Sequence, residues 1–298
     1  MKFKKEIWIL ILIIIFGLFL RTYKVANNPP ALNWDEVSHG FNAYSILRTG
    51  RDEWGAKFPL IFRCFGDYKL PLYIYLTVIP VKLLGLTPLA VRMVSILSGV
   101  GLVIIAYFLA KKISKNKTVG LLAAFLTAVS PWSLFLSRVA VEANLAAFLF
   151  ALGLLLFYRR KFLLTSLLWG FSLQTYNSAR VLAPLMFLFL IYRLIKLRKI
   201  KKLLFSVIIF SLFLAPIAVQ FSNKSAGARF FWVSLIDQGT INRIIEKREH
   251  SSLPLKLRRL IYNRPTYFLA YSTKNYLKHF SPIFLFFRGG NHYQFSLP

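Results

Sequence analysis

Acidic residues and cysteine are both rare in this chain of 298 residues, which holds ten Asp and Glu residues and a single cysteine. The lone Cys64 excludes an internal disulfide, so no disulfide constrains the loops, and its expected role is that of a small buried hydrophobe. Glycine-rich phosphate loops and the HExxH and GxSxG patterns are also missing, so nucleotide-sugar and ATP chemistry have no support. No internal repeat or low-complexity tract is present.

Apolar residues, in contrast, make up 57% of the chain, whereas charged residues make up 16% and leave a net charge of +29. Soluble domains average about 45–50% apolar residues. The basic residues stand in short clusters between long apolar runs, which is typical of membrane proteins rather than of nucleic-acid-binding proteins. A polytopic membrane protein is therefore predicted, with no nucleic acid among its partners.

Seven apolar runs predict membrane spans, which need about 20 residues each. They cover residues 7–25, 88–110, 118–137, 141–158, 162–178, 180–197 and 203–221. The first run looks like a signal peptide, but without a small-x-small cleavage site it is predicted to remain as a helix. A single broken helix is the alternative for residues 162–192, because that stretch is short for two spans.

Basic clusters decide the orientation, because Lys and Arg collect in cytoplasmic loops. The clusters are Lys2/Lys4/Lys5, Lys111/Lys112/Lys115/Lys117, Arg159/Arg160/Lys161 and Arg193/Lys196/Arg198/Lys199/Lys201/Lys202. All four fall on the cytoplasmic side if the apolar run at residues 70–85 does not cross the membrane. We therefore predict an outer juxtamembrane helix at 70–85, with the amino terminus inside and the carboxyl terminus outside.

The predicted fold class is all-α, a polytopic transmembrane bundle in the plasma (inner) membrane, surrounded by membrane lipids. This topology divides the chain into a membrane core, residues 1–221, and an extracytoplasmic tail, residues 222–298. The core includes an outer loop at residues 26–87. The tail contains several prolines and aromatic residues, and it is expected to be irregular.

The acidic residues indicate a site on the outer face, because nine of the ten lie there or at an outer helix end in this topology. Asp35 and Glu36 are adjacent in the first outer loop, and their repulsion would raise the proton affinity of one, as a general base requires. A helix start capped by Asn33 is the structural alternative. His39 would share a helical face with Asp35, although a loop histidine without a metal is favoured over a metal ligand.

Other charged residues lie next to the predicted membrane on the same side. Lys69 precedes the juxtamembrane helix, where its ammonium would bind a lipid phosphate or anchor the helix in the interface. Arg138 and Glu142, at the outer ends of the third and fourth spans, are predicted to form an ion pair that is either functional or purely structural. Arg180 would hold a phosphate or cap its helix.

The ordered set of motifs resembles the GT-C glycosyltransferases, in particular the group of protein O-mannosyltransferases and lipid A aminoarabinose transferases. The motifs are Trp34-Asp35-Glu36, Lys69-Leu70-Pro71-Leu72-Tyr73, Leu89-Ala90-Val91-Arg92, the region from Ser130-Pro131 to Glu142, and the segment from Phe280 to Gly290. One departure is Leu70, where the family commonly has proline. The resemblance covers nearly the whole chain.

The resemblance implies inverting transfer of a sugar from a polyprenyl-phosphate donor to a protein, glycan or lipid acceptor. It implies Asp35 as the catalytic base and Lys69 at the donor phosphate. Beyond the resemblance, we expect Glu36 to orient the loop or tune Asp35, and Arg180 to be a second phosphate contact. Relatives carry further spans, so the chain is expected to be an amino-terminal fragment of a longer protein. No cofactor is assigned, and the requirement for a divalent metal stays open.

The alternative function is a transporter or lipid flippase without covalent chemistry. Transporters tend to place ionisable groups near mid-membrane and to show repeated halves. Here the acidic residues cluster in the predicted outer loops and no repeat is found, which favours the transferase. A non-catalytic membrane scaffold is the third hypothesis.

Single cysteines in a Cys64→Ser background test the predicted orientation. A membrane-impermeant maleimide applied to intact cells is expected to modify Asn28→Cys and Lys274→Cys, and to leave Lys115→Cys and Lys199→Cys unmodified. All four should react after permeabilisation, which serves as the control. Modification at position 115 but not at 274 in intact cells would overturn this topology.

Overall fold

A computed structural model describes residues 2–222 and 235–284, and within these ranges the chain is mostly helical. It forms two compact units, Met1–Ala226 and Gly227–Pro298. The elements of the first unit are α1 (Lys2–Thr22), α2 (Trp34–Thr49), β1 (Phe62–Cys64), β2 (Asp67–Lys69), α3 (Pro71–Leu84), α4 (Pro88–Ser114), α5 (Lys117–Val129), α6 (Pro131–Arg138), α7 (Glu142–Tyr158), α8 (Phe162–Leu173), α9 (Ala179–Lys196), α10 (Ile200–Leu212) and α11 (Ala215–Ser222).

Two helical stretches among the described residues are long and apolar enough to cross a membrane: α4, and the run Ile200–Gln220 formed by α10 and α11. The pair α5 and α6 would make a third, but the two helices meet at an angle of 54°. The run 118–137 therefore forms a bent pair of helices rather than one straight helix, and its crossing of the membrane stays a prediction. The extended backbone of Ser130 ends α5, because a residue before proline is disfavoured in helical conformation and Pro131 has no amide hydrogen to donate.

The count of seven spans stays a prediction, because several of the apolar helices are short. α3, α7 and α8 contain 14, 17 and 12 residues. At a rise of 1.5 Å per residue, a helix the length of α8 covers about 18 Å, less than the roughly 30 Å of a hydrocarbon core. Residues 162–197 form two helices, α8 and α9, that pack against each other. Their crossing of the membrane as two spans, rather than as one broken span, stays a prediction.

α4 lies at the centre of the first unit and packs against α1, α3, α5, α6 and α7. Small residues allow these helices to approach closely. A Cβ added at Gly99 would lie 2.0 Å from Ser137 Oγ, and one added at Gly40 would lie 2.6 Å from Val91 Cγ2. Such contacts matter in an apolar solvent, where van der Waals packing contributes strongly to helix association.

Arg21 ties the carboxyl end of α1 to the bend between α5 and α6. Its side chain is fully buried and donates hydrogen bonds to five oxygen atoms. The acceptors are the carbonyls of Gly17, Thr127 and Ala128 and the hydroxyls of Ser133 and Ser137. A buried guanidinium is costly unless polar groups replace its water, so this network fixes where α1, α5 and α6 meet.

The short hairpin of β1 and β2 determines the position of Lys69. The strands are antiparallel, and Lys69 pairs with Phe62. The turn residues Phe65 and Gly66 have φ values of 42° and 82°, and positive φ at both central residues is the property of a type I′ turn. Lys69 therefore lies at the end of a registered strand, immediately before α3.

The second unit contains three helices within residues 235–284, namely α12 (Gln238–Glu249), α13 (Leu255–Ile261) and α14 (Arg264–Lys278). The expectation of an irregular tail is wrong for these residues. The side chains of Asp237 and Asn263 accept hydrogen bonds from backbone amides three residues on, and so cap α12 and α14. Pro265 lies in the first turn of α14, where proline is tolerated.

Replacing Gly66 with valine is expected to destabilise the protein by about 1–2 kcal/mol, because a branched residue resists a left-handed backbone. No atom of residues 2–222 or 235–284 lies within 4 Å of the position that its Cβ would take, so the loss would come from the backbone and not from a clash. Gly66→Asn is the matched control, since asparagine tolerates positive φ better. Thermal unfolding in detergent measures both variants, and equal stability of the two would contradict the type I′ assignment.

Candidate active site

Three predicted site residues that are far apart in the sequence come together in the first unit. Lys69 Nζ lies 2.8 Å from Asp35 Oδ1 and 3.8 Å from Glu142 Oε1. The first distance is that of a charge-assisted hydrogen bond, whereas the second is too long for a hydrogen bond and is an electrostatic contact. The lysine therefore lies between two carboxylates.

The Lys69 ammonium is stabilised in its charged form. Only 8% of its side chain is exposed, and this burial disfavours the charge. Glu142 and Asp35, with a smaller contribution from Asp67, outweigh burial and raise the pKa of Lys69 above its ordinary value. Lys69 is thus a fixed positive charge at neutral pH.

His39 is the fourth residue of the cluster. Its Nε2 lies 3.2 Å from Glu142 Oε1, the same oxygen atom that Lys69 contacts. The expectation of a loop histidine is wrong, because His39 is a fully buried residue of α2, one turn after Asp35. Its ring packs on Tyr73, with centroids 4.8 Å apart, and its Nδ1 has no hydrogen-bond partner among the described residues. One oxygen of Glu142 therefore contacts both His39 and Lys69.

Glu36 has a different environment from Asp35, although the two residues are adjacent. Its side chain is 1% exposed, against 37% for Asp35. The Glu36 carboxylate accepts two hydrogen bonds from Arg92, at 2.7 and 3.1 Å, and one from each of the amides of Asn33 and Ala140. A carboxylate has about four acceptor positions, so little capacity is left for an acceptor hydroxyl.

The first turn of α2 is a complete capping box. Asn33 Oδ1 accepts the Glu36 amide hydrogen at 2.9 Å, and Glu36 Oε2 accepts the Asn33 amide hydrogen at 3.0 Å. The capped helix start that Asn33 indicated is confirmed, and Glu36 belongs to it. Asp35 is the accessible carboxylate of the pair.

Arg92 was not predicted as a site residue, although it belongs to one of the quoted motifs. Besides Glu36, its guanidinium binds the carbonyls of Val25, Pro29 and Ala31, at 2.6 to 3.0 Å. It therefore ties the loop before α2 to α4. The sequence feature that could have identified Arg92 is its position near the start of an apolar helix, where a charged side chain requires a polar or oppositely charged partner.

Arg138 does not pair with Glu142, so the predicted ion pair is wrong. Arg138 instead donates hydrogen bonds to the carbonyls of Leu20, Tyr23 and Asn28, just after α1. The extended backbones of Val139 and Val141 separate the end of α6 from the start of α7. Proximity in the sequence thus does not bring the two charges together.

Arg180 hydrogen-bonds Leu173 O at 3.2 Å and Gln220 Oε1 at 2.6 Å. It lies in the first turn of α9, and a backbone hydrogen bond connects the turn before α9 to α3. The Leu72 amide, three residues after Lys69, donates to Gln174 O at 3.0 Å. A pocket shared by Lys69 and Arg180 stays a prediction.

A metal centre is not indicated by the arrangement of side chains. Within residues 2–222 and 235–284, no three His, Cys, Asp or Glu side chains are grouped to hold a metal ion. In the cluster itself, the Lys69 ammonium lies between Asp35 and Glu142 and provides the positive charge that these carboxylates contact.

Comparison with known proteins gave a match to the model of a family described as dolichyl-phosphate-mannose-protein mannosyltransferase, over residues 69–219. The matched range contains Lys69, Arg92, Glu142 and Arg180, and it begins after Asp35. Comparisons with curated proteins and with solved structures gave no significant match.

Glu36→Gln and Asp35→Asn are expected to differ in stability although they change neighbouring residues. Glu36→Gln leaves Arg92 buried without a carboxylate, which typically costs about 3–5 kcal/mol. Asp35→Asn should cost less, because 37% of the Asp35 side chain is exposed and Lys69 keeps its electrostatic contact with Glu142. Thermal unfolding of the purified variants beside the wild type measures the difference. Equal losses, or a larger loss for Asp35→Asn, would contradict the anchoring role of Glu36.

Proposed function

The chain belongs to the dolichyl-phosphate-mannose-protein mannosyltransferase family, and we propose that it transfers a sugar from a polyprenyl-phosphate donor to an acceptor hydroxyl on the extracytoplasmic face of the membrane. The family is one of membrane glycosyltransferases of the GT-C type. The observation that carries the proposal is the meeting of Asp35, Lys69 and Glu142, from three separate segments, with 37% of the Asp35 side chain exposed.

Asp35 is the proposed general base, because it is the carboxylate of the cluster that an acceptor can reach. Only 10% of the Glu142 side chain and 1% of the Glu36 side chain are exposed. Asp35 would take the proton of the acceptor hydroxyl as its oxygen attacks the anomeric carbon. The bond from that carbon to the phosphate oxygen would break, and the electron pair would leave with the polyprenyl phosphate, inverting the sugar configuration.

Lys69 is the proposed ligand of the donor phosphate. An ammonium has three N–H donors, and the contact with Asp35, at 2.8 Å, uses one of them. A donor phosphate could replace this contact, because a phosphate oxygen accepts the same charge-assisted hydrogen bond from an ammonium that a carboxylate accepts. Donor binding would then release Asp35 for its role as a base, while the nearby Glu142 keeps Lys69 in position.

Arg180 is the proposed second cation at the phosphate. A guanidinium has five N–H donors, and the bonds to Leu173 and Gln220 use two of them. The hydrogen bond between Leu72 and Gln174 connects its turn to the segment that carries Lys69. A phosphate leaving group gains negative charge as the bond breaks, so fixed cations would lower the barrier.

The proposal includes the seven-span topology and the outer juxtamembrane orientation of α3, with a protein, a glycan or a lipid as acceptor. The alternative is a transporter or lipid flippase, which would use the same phosphate contacts without covalent chemistry. An accessible carboxylate beside Lys69 favours transfer, because translocation requires no base.

Asp35→Asn should reduce transfer by about two to four orders of magnitude, which is the usual contribution of a general base. The assay uses the full-length protein with labelled polyprenyl-phosphate sugars, and native membranes as the source of acceptors. Glu246→Gln is the matched control, since it removes an exposed carboxylate of α12, and it should keep wild-type turnover. Both variants must accumulate in the membrane as the wild type does.

Two results would change the proposal in different ways. Wild-type turnover by Asp35→Asn would remove the base assignment and leave the transferase in place. If the wild type consumes no donor with any sugar tried, but moves labelled polyprenyl phosphate across a vesicle membrane, the transporter is the better hypothesis.

A further inference from the structure

The second unit has an apolar and basic surface that the proposed reaction does not use. No residue of α13 or α14 is buried. On α14, Leu269 is 69% exposed and Leu277 is 61% exposed. Contiguous exposed apolar surface of this kind marks a site of interaction with a protein, a ligand or a membrane.

Two exposed leucines of α14 share one face of the helix. Leu269, Thr273 and Leu277 are spaced four residues apart and therefore lie in line. They line a shallow open groove that also includes Lys274 and Lys278. Because the two lysines are likewise four residues apart, their ammonium groups form a row beside the apolar face.

Negative charge is missing from this part of the chain. No Asp or Glu follows Glu249 in the sequence, whereas the described residues 250–284 contain six Lys and Arg residues. Arg248 and Arg258 donate hydrogen bonds to backbone carbonyls within the unit. Lys274 and Lys278, in contrast, form no ion pair with a carboxylate of the described residues.

We propose that α14 is an interfacial helix that binds the surface of an anionic membrane. Leu269 and Leu277 would enter the boundary of the acyl chains, and Lys274 and Lys278 would reach the lipid phosphates. Amphipathic helices with basic residues beside an apolar face bind anionic bilayers in this way. Tyr276, which is 65% exposed, belongs to a residue type that is enriched at the level of the headgroups.

Other partners match only half of this surface. An acidic protein or a nucleic acid would pair with the lysines but would leave the leucines of α14 in water. An apolar protein surface would cover the leucines but would leave the lysines without a counter-charge. In an anionic bilayer the phosphates lie directly above the hydrocarbon. The lysines of α14 can therefore contact phosphates while its leucines contact hydrocarbon.

Spin labels on the full-length protein test this inference. A nitroxide is attached at Leu277→Cys, and at Asn242→Cys on α12 as the control, each in a Cys64→Ser background. The host vesicles contain equal parts of phosphatidylglycerol and phosphatidylcholine. At position 277, collisions with oxygen should exceed collisions with a water-soluble nickel complex. The exposed polar position 242 should show the reverse.

Removing the charges tests the anionic part of the inference. A lysine near an anionic surface strengthens binding about fivefold, so the double variant Lys274→Gln/Lys278→Gln should weaken the surface-bound state about 25-fold. The label at 277 should then shift toward water, as it should in vesicles of phosphatidylcholine alone. An unchanged label in both experiments would overturn the role of anionic lipid.

Two further outcomes would overturn membrane binding itself. Free access of the nickel complex to position 277 in the anionic vesicles would mean that α14 stays in water. Protection of that position from both oxygen and nickel would mean that protein covers the face, from another segment or a second copy. Because none of these measurements uses transfer activity, their failure is distinct from a failure of the proposed function.

Discussion

Glu36 and Arg92 bring two opposite charges into the interior of the first unit, and the position of α2 depends on how these charges are satisfied. An unpaired buried charge costs several kcal/mol, of the order of 3–5. Arg92 therefore needs all its acceptors, which are the Glu36 carboxylate and three carbonyls of the loop before α2. Glu36 in turn accepts the Ala140 amide hydrogen. One ion pair thus joins the first loop, α4 and the link between α6 and α7.

The role of Asp35 follows from this anchor through the geometry of the helix. Successive residues of an α-helix point about 100° apart, so an inward Glu36 directs Asp35 to a different side. Asp35 and His39 are one turn apart and contact Lys69 and Glu142, respectively. The expected repulsion between the adjacent carboxylates is relieved, because each has its own cation. Accessibility, rather than mutual repulsion, distinguishes the proposed base from the anchor.

Residue identity and spacing predicted many residues of the candidate site, but not which charged groups pair with each other. Adjacent carboxylates pointed to Asp35, and charges next to apolar helices pointed to Lys69 and Glu142; the structure brings these three together. Which carboxylate would be buried was not predictable, since it depends on Arg92, a residue 56 positions away from Glu36. Arg138 was assigned to the nearest acid in sequence, whereas backbone carbonyls after α1 accept its hydrogen bonds.

The same distinction applies to the fold. Long apolar runs predicted helices at nearly all the right places, because hydrophobicity is local information. The apolar length of the run 118–137 does not reveal the bend between α5 and α6, although the pair Ser130-Pro131 indicates a break in the helix. The tail was judged irregular from its prolines, yet Pro265 lies in the first turn of α14, where it does not interrupt a hydrogen bond.

The charge balance of the cluster constrains how a phosphate donor could bind. Two carboxylates and one ammonium give Asp35, Glu142 and Lys69 a combined charge of −1 when His39 is neutral, which would repel an approaching phosphate. A second cation such as Arg180 is therefore needed in the proposed site. During the proposed transfer, Asp35 loses its negative charge to the acceptor proton while the leaving phosphate gains one. Because donor binding would exchange the Asp35 contact of Lys69 for the phosphate, the cation would already lie beside the group that gains negative charge, which is the property of a preorganised site.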